Sequence, residues 1–250
     1  MKRTVNFALV LATAAFLIGA EIHSIPPSDL TVHEWGTFTS VAGEDGCATD
    51  WDALGGENDL PRFVHDVGYR CFKWRLTGTV RMETPVIYFY SQRELTARVK
   101  VRFPRGVITE WYPHGDNAIY QSERRLDPSL NGMDTSLRNT TGAIAWPDIK
   151  VQPASIADFP VEKSPSRYYA ARGTDAAPIT ARGQHEKFLF YRGVGRFAVP
   201  LSARLSSDGK IVVENPGPDA VPGVILLSSG RAAPAGQGCE WPAPEQSPVL

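Results

Sequence analysis

The stretch TVHEWGTFTSVAGEDG, residues 31–46, sets His33, Glu34 and Trp35 side by side. A zinc-protease helix needs a second histidine four residues after the first, with the glutamate as general base beside the first. The fourth residue after His33 is Thr37, so the pattern fails. On an extended strand His33 and Trp35 share one face while Glu34 takes the other. The expected arrangement is a histidine hydrogen-bonded near the core beside a packed tryptophan. An open zinc or iron site would instead have to assemble from distant residues: His33, His65 and His114, with Asp52, Glu110 or Asp116 as oxygen ligands. Three imidazoles, or two with a carboxylate, would suffice, but no spacing links these residues.

The loop GEDGCATDWDALGGENDLPRF holds Glu44, Asp45, Asp50, Asp52, Glu57 and Asp59 among glycines. Calcium wants six to eight oxygens from such a loop, yet the EF-hand pattern is absent and a solvated acidic loop is the simpler reading. No cofactor is therefore predicted, calcium and zinc being the metals these residues would take. Trp51 stands between Asp50 and Asp52, where an indole is hard to bury completely and can stack on a sugar while the carboxylates accept hydrogen bonds. EWYPHGDN supplies a second platform, with Trp111, Tyr112, His114 and Asp116 where a strand opens into a loop; the simpler reading has Trp111 in the core. The ligand-binding candidates are thus His33, Trp35, Trp51, Asp52, Trp111, His114 and Asp116. Glu83 and Glu110 are a conceivable acid and base for glycoside hydrolysis, which needs two carboxyls facing each other across a cleft. G-x-S-x-G, the P-loop and the dinucleotide-binding glycine pattern do not occur.

The elements that would position these residues read as strands. Phe72, Trp74 and Leu76 alternate with polar neighbours, as do Ala97, Val99, Val101 and Phe103, and Phe197, Val199, Leu201, Ala203 and Leu205. A period of two means half-wet antiparallel strands, and no long amphipathic helix competes. VRFPRGVITEWY predicts a hairpin joining 98–103 to 107–112 through Pro104 and Gly106, and RLSSDGKIVVEN one joining 197–205 to 210–214 through Asp208-Gly209. VPGVILLSS reads as one more buried strand. Pro85 should split RMETPVIYFYS into 80–83 and 86–90. The prediction is a mainly β protein, an antiparallel β-sandwich of Ig-like or jelly-roll-like type. Residues 121–185 form a long loop-rich insertion with one strand near 143–151, and 229–250 a disordered Ala/Pro/Gly tail. Asn139-Thr140-Thr141 matches a glycosylation acceptor.

Composition bounds the function. The chain has 250 residues, 42% hydrophobic, with 26 basic against 27 acidic side chains. Nothing here favours nucleic acid or an anionic membrane. Arg98, Lys100 and Arg102, with Arg93 and Arg105 nearby, read as the wet face of a sheet or as charge on an exposed edge. Residues 1–20 read as a signal peptide: Lys2 and Arg3, an apolar run over 5–18, then Gly19-Ala20. That run is too short for a spanning helix, so the chain is expected to be exported, periplasmic or extracellular, and not an integral membrane protein. In an oxidising compartment Cys47 and Cys71 are expected to form a disulfide, leaving Cys239 unpaired.

VHEWGTFTSVAGEDG, RMETPVIYFYS, GVITEWYP and EKFLFYRGVG together resemble a group of uncharacterised secreted bacterial proteins. The resemblance covers most of 31–227 and implies no activity. In that group recognisable sequence continues past the position of Leu227, whereas here it becomes the tail, which points to a truncated or frame-shifted end. The functional expectation is a non-catalytic binding or surface-associated module, with a polysaccharide or cell-surface component as partner. The alternatives are a metal-dependent or carboxylate-based hydrolase, and a structural domain of a longer protein.

Overall fold

The computed structural model describes residues 29–55, 59–68, 76–122, 124–126, 136–199, 201–215 and 217–226. The expected signal peptide, the Phe72 and Trp74 strand positions, Glu57, Cys71, Cys239 and the 229–250 tail lie outside them. The described strands run β1 (Leu30–Trp35), β2 (Phe38–Ser40), β3 (Trp51–Asp52), β4 (His65–Asp66), β5 (Thr77–Gly78), β6 (Val80–Met82), β7 (Val86–Ser91) and β8 (Leu95–Pro104). They continue with β9 (Gly106–Tyr112), β10 (Asp116–Gln121), β11 (Arg124–Arg125), β12 (Thr140–Val151), β13 (Ile179–Ala181), β14 (Gln184–Glu186), β15 (Phe188–Gly195), β16 (Ser202–Leu205) and β17 (Ile211–Glu214). All pairings are antiparallel, and the described helical structure is one 3₁₀ segment, Arg167–Arg172. No helix among the described residues is long and apolar enough to cross a membrane.

The chain divides into two units, Met1–Ser40 with Asp50–Phe197, and Val41–Thr49 with Ala198–Leu250. In the first, a seven-stranded sheet is built around β15: β9 pairs along one side, and β7 and β6 follow one another along the other. β1 and β2 extend that sheet beyond β7 and β6, and β4 beyond β9. The split at Pro85 falls where expected, and the neighbouring strand is interrupted at the same level between Trp35 and Phe38, where a Cβ on Gly36 would sit 3.2 Å from Pro85 Cα. A six-stranded sheet is built around β12, with β8 along one side, β10 and β13 along the other, and β11 and β14 outermost.

β8 shows the predicted alternation without interruption, Thr96, Arg98, Lys100 and Arg102 exposed and their neighbours turned inward. The turn after it behaves differently from a hairpin. Arg105, not Gly106, takes the left-handed conformation (φ 53°), and the two arms enter different sheets, β8 pairing with β12 and β9 with β15. The turn is a corner between sheets. β9 and β15 are buried at every residue, so their alternating side chains meet apolar partners on both faces. On one face Ile87, Phe89, Ile108, Leu189 and Tyr191 share a core with Ile144, Trp146, Ile149 and Ile179 of the other sheet. On the opposite face Val86, Tyr88, Phe188 and Phe190 are covered by Tyr168, Tyr169 and Ala176, from the long segment before β13. The stretch expected as a loop-rich insertion thus contains both the central strand of one sheet and the cover of the other.

In the second unit the Asp208-Gly209 turn forms as predicted, with Gly209 at φ +80° between β16 and β17. The strand is shorter than its periodicity suggested, since β16 spans only Ser202–Leu205. The strand expected at VPGVILLSS does not form over the described residues: 221–226 have no strand structure, and Val224, Ile225 and Leu226 are exposed. Pro222 removes a backbone donor and no described strand pairs with them, so the apolar run finds no face to bury. No disulfide is seen among the described residues: Cys47 is an exposed free thiol, and its backbone N–H donates to Asp45 Oδ1. The Asp45 carboxylate beside it raises the thiol pKa.

Candidate functional site

β1 carries His33 and Glu34 as consecutive residues of one strand. The His33 ring lies 5.1 Å from Tyr90, while the Glu34 carboxylate accepts a hydrogen bond from the Tyr191 hydroxyl. The two side chains diverge, as alternation requires. Both halves of the core expectation are corrected: His33 is exposed, as is most of β1, and Trp35 is 66% exposed, bordering a recess of about 290 Å³ with Leu60, Tyr168, Phe188 and Phe190. Edge position explains it, because β1 has β7 on one side and no described strand on the other.

Trp51 is also corrected as an exposed platform. It is half buried on β3 opposite Gly78 and packs with Ala53, Leu76 and Val194; Asp52 follows it on the same short strand. The acidic loop is held by guanidinium groups, Asp50 by Arg196 and Asp59 by Arg192. Glu110 is 1% exposed and accepts from the Thr109 hydroxyl, and Glu83 pairs with Arg81 at 3.3 Å. A carboxylate sealed in the core cannot face a substrate, which removes the proposed glycosidase pair.

Three candidates do converge. Trp111, His114 and Asp116 line one recess of about 600 Å³, together with Asp66, Asn117 and Arg125. The recess forms because β9 and β10 belong to different sheets, and the Pro113–Gly115 connection between them carries His114. Trp146 of β12 fastens that connection by donating from Nε1 to the Pro113 carbonyl at 2.9 Å. Gly115 has no room for a side chain, since a Cβ would lie 2.9 Å from Trp146 Nε1 and from Ile144 Cγ1. β4 contributes His65, opposite Trp111 in the sheet. Its ring stacks near those of Trp111 and Tyr112, both centroids at 6.2 Å, and meets His114 edge-on at 4.9 Å. Gln184 of β14 links the two histidines: its Oε1 accepts the His114 backbone N–H at 2.6 Å and lies 3.4 Å from His65 Nε2. Asp116 is ion-paired with Arg182.

Burial holds the His65 pKa below its usual 6.5; the Gln184 contact opposes this, His114 adds to it and Asp66 opposes it. The same burial, with the negative charge of Glu186, pushes Tyr112 up to about 12. A histidine with a depressed pKa binds fewer protons folded than unfolded. Its contribution to stability is therefore full above pH 6.5 and is lost as pH falls toward the folded-state pKa. Urea unfolding of the wild-type chain is expected to show stability falling through that window, and His65→Gln is expected to flatten the slope. A slope unchanged by the substitution would assign the effect elsewhere.

Asp66, Asn117, Arg125 and Gln184 were not singled out in the sequence, where each is an ordinary polar residue near a turn. Among the described residues no group of three His, Cys, Asp or Glu is placed to hold a metal ion. Comparison with protein-family models, with curated proteins and with solved structures finds no match.

Proposed function

We propose that the chain is an exported, periplasmic or extracellular binding module with a β-sandwich architecture, whose ligand is a polyhydroxylated molecule of the carbohydrate class. The shared core between the two sheets supports the sandwich. One observation carries the ligand class: Trp111 Nε1 and Asn117 Oδ1 are both buried, have no hydrogen-bond partner among the described residues, and belong to residues lining the same recess. An unpaired buried donor and acceptor each carry a desolvation penalty. A polyol, whose hydroxyls both donate and accept, offers a partner of the right kind to each. The recess adds the apolar walls Val67, Ile119 and Leu126 for sugar C–H faces and the acids Asp66 and Asp116 for further hydroxyls.

A glycan panel applied to the purified chain tests this. Retention of a neutral oligosaccharide is expected, weakened about tenfold by Trp111→Phe, which keeps an aromatic ring and deletes the donor. No retention of any glycan, or retention indifferent to that substitution, refutes the reading. The observation favouring a hydrolase instead is the His65–His114 pair at the edge of the recess, where His65 is biased toward the neutral, proton-accepting form. That alternative requires product release from a retained glycan, abolished by His65→Gln.

A further inference from the structure

Trp111 and Asn117 belong to different sheets, and both turn into the space between them. Trp111 is part of the core that the two sheets share. Asn117 stands opposite Ile144 across the β10–β12 pairing, and Ile144 belongs to that same core. Directly opposed residues share a face, so Asn117 and, two residues on, Ile119 also point inward. Ile119 is 4% exposed, as that direction requires. The recess therefore opens from the space between the sheets, with Val67, Ile119 and Leu126 as its apolar lining.

The two unpartnered atoms in this recess are of opposite kind. Trp111 Nε1 can only donate, and Asn117 Oδ1 can only accept. Asn117 Nδ2 donates to the Ile108 carbonyl at 3.5 Å, which leaves Oδ1 as the free end of the amide. Trp51 Nε1 and Thr140 Oγ1 are unpartnered too, but neither lines a recess with a second such group among the described residues. A hydroxyl opposite the indole N–H accepts, and its own hydrogen then needs a further acceptor. A hydroxyl opposite Asn117 Oδ1 donates and leaves its lone pairs unmet. A secondary amide brings one N–H and one carbonyl, so it meets the pair with no donor left over. In its trans form the carbonyl and the N–H point in opposite directions, and the two protein groups come from facing sheets.

We propose, resting on the carbohydrate reading above, that the recess selects N-acetylated sugars, taking the acetamido carbonyl on Trp111 Nε1 and the acetamido N–H on Asn117 Oδ1. The acetamido methyl then lies against Val67, Ile119 and Leu126, which have nothing to offer a hydroxyl. The group is uncharged, so burying it carries no ionic desolvation cost. Asp66, Asp116 and Arg125 are exposed and stay available to the ring hydroxyls.

Isothermal titration of the full chain with chitotetraose and cellotetraose tests it, because the two differ only in carrying an acetamido group or a hydroxyl at the second carbon of each ring. Chitotetraose is expected to bind about a hundredfold more tightly, about tenfold for each hydrogen bond. Trp111→Phe and Asn117→Leu should each cut that preference to about tenfold, and Lys163→Gln, outside the recess, should leave it unchanged. The preference is a ratio measured on one sample, so partial unfolding of a variant, which lowers both signals, cannot imitate its loss. Fully de-N-acetylated chitotetraose should bind no better than cellotetraose; binding tighter than chitotetraose would assign recognition to Asp66 and Asp116 and overturn the proposal. Acetyl-trialanine amide, which offers secondary amides without a sugar, should not bind, and binding as tight as that of chitotetraose overturns the proposal. Equal affinity for the two tetrasaccharides, or retention of some other glycan but neither of these, overturns it while the carbohydrate reading stands. Retention of no glycan at all overturns both.

Discussion

Glu186→Ala is expected to lower the free energy of unfolding by about 3–5 kcal/mol, the range for removing one partner of a buried ion pair. Glu186 is fully buried, and every contact made to it is a donor: Arg172 Nε at 2.9 Å and Nη2 at 2.7 Å, the Tyr168 hydroxyl at 3.0 Å, and the Lys187 backbone N–H at 2.8 Å. Arg172 lies beside the rings of Phe159, Tyr169 and Tyr168, at 5.3, 5.0 and 5.7 Å, and also donates to the Pro160 carbonyl. Deleting the carboxylate strands a guanidinium among aromatic rings and unpairs a tyrosine hydroxyl. The consequence extends beyond the pair, because these residues hold the segment covering Phe188 and Phe190 of the seven-stranded sheet. Urea denaturation measures the loss, and binding of a hydrophobic dye reports the uncovered face. A loss below about 1 kcal/mol would mean that the cover stays in place without its charge clamp.

Trp146→Ala should be about as damaging, about 3–5 kcal/mol, since it empties a fully buried indole site at the junction of the two sheets. The informative companion is Trp146→Phe. It refills most of the volume but leaves the buried Pro113 carbonyl without its donor, an expected cost of about 1–3 kcal/mol. His114 follows Pro113 directly, so its backbone amide resonance should broaden in Trp146→Phe, while β8 and the Asp208-Gly209 hairpin keep wild-type shifts. An unchanged His114 resonance would show that Gln184 alone holds the connection.

Local features were legible where one strand and its turn were enough. The exposed Arg98, Lys100 and Arg102 follow from alternation along β8, and the break at Pro85 follows from a missing donor. Gly209 follows from the turn that a tight hairpin requires. The errors arose where burial depends on a second layer. β12 is rich in polar and small residues at its start, so the strand signal covers only 143–151, yet it is the central strand of its sheet. Trp35 and Val224–Leu226 are apolar but exposed, because hydrophobicity favours burial without supplying the surface that buries.

By itself, then, the order of residues determined the strand period, the tight turns, the divergence of His33 from Glu34 and the basic edge of β8, all properties of a few neighbouring peptide units. Tertiary structure alone decided that β8 and β9 part into different sheets, that His65 meets His114, and that Trp111 and Asn117 line one recess. Those meetings join residues far apart in the chain, and their proximity is set by how two sheets stack and which segment covers them. Alternation tells which side of a strand a residue occupies; only packing tells what stands opposite.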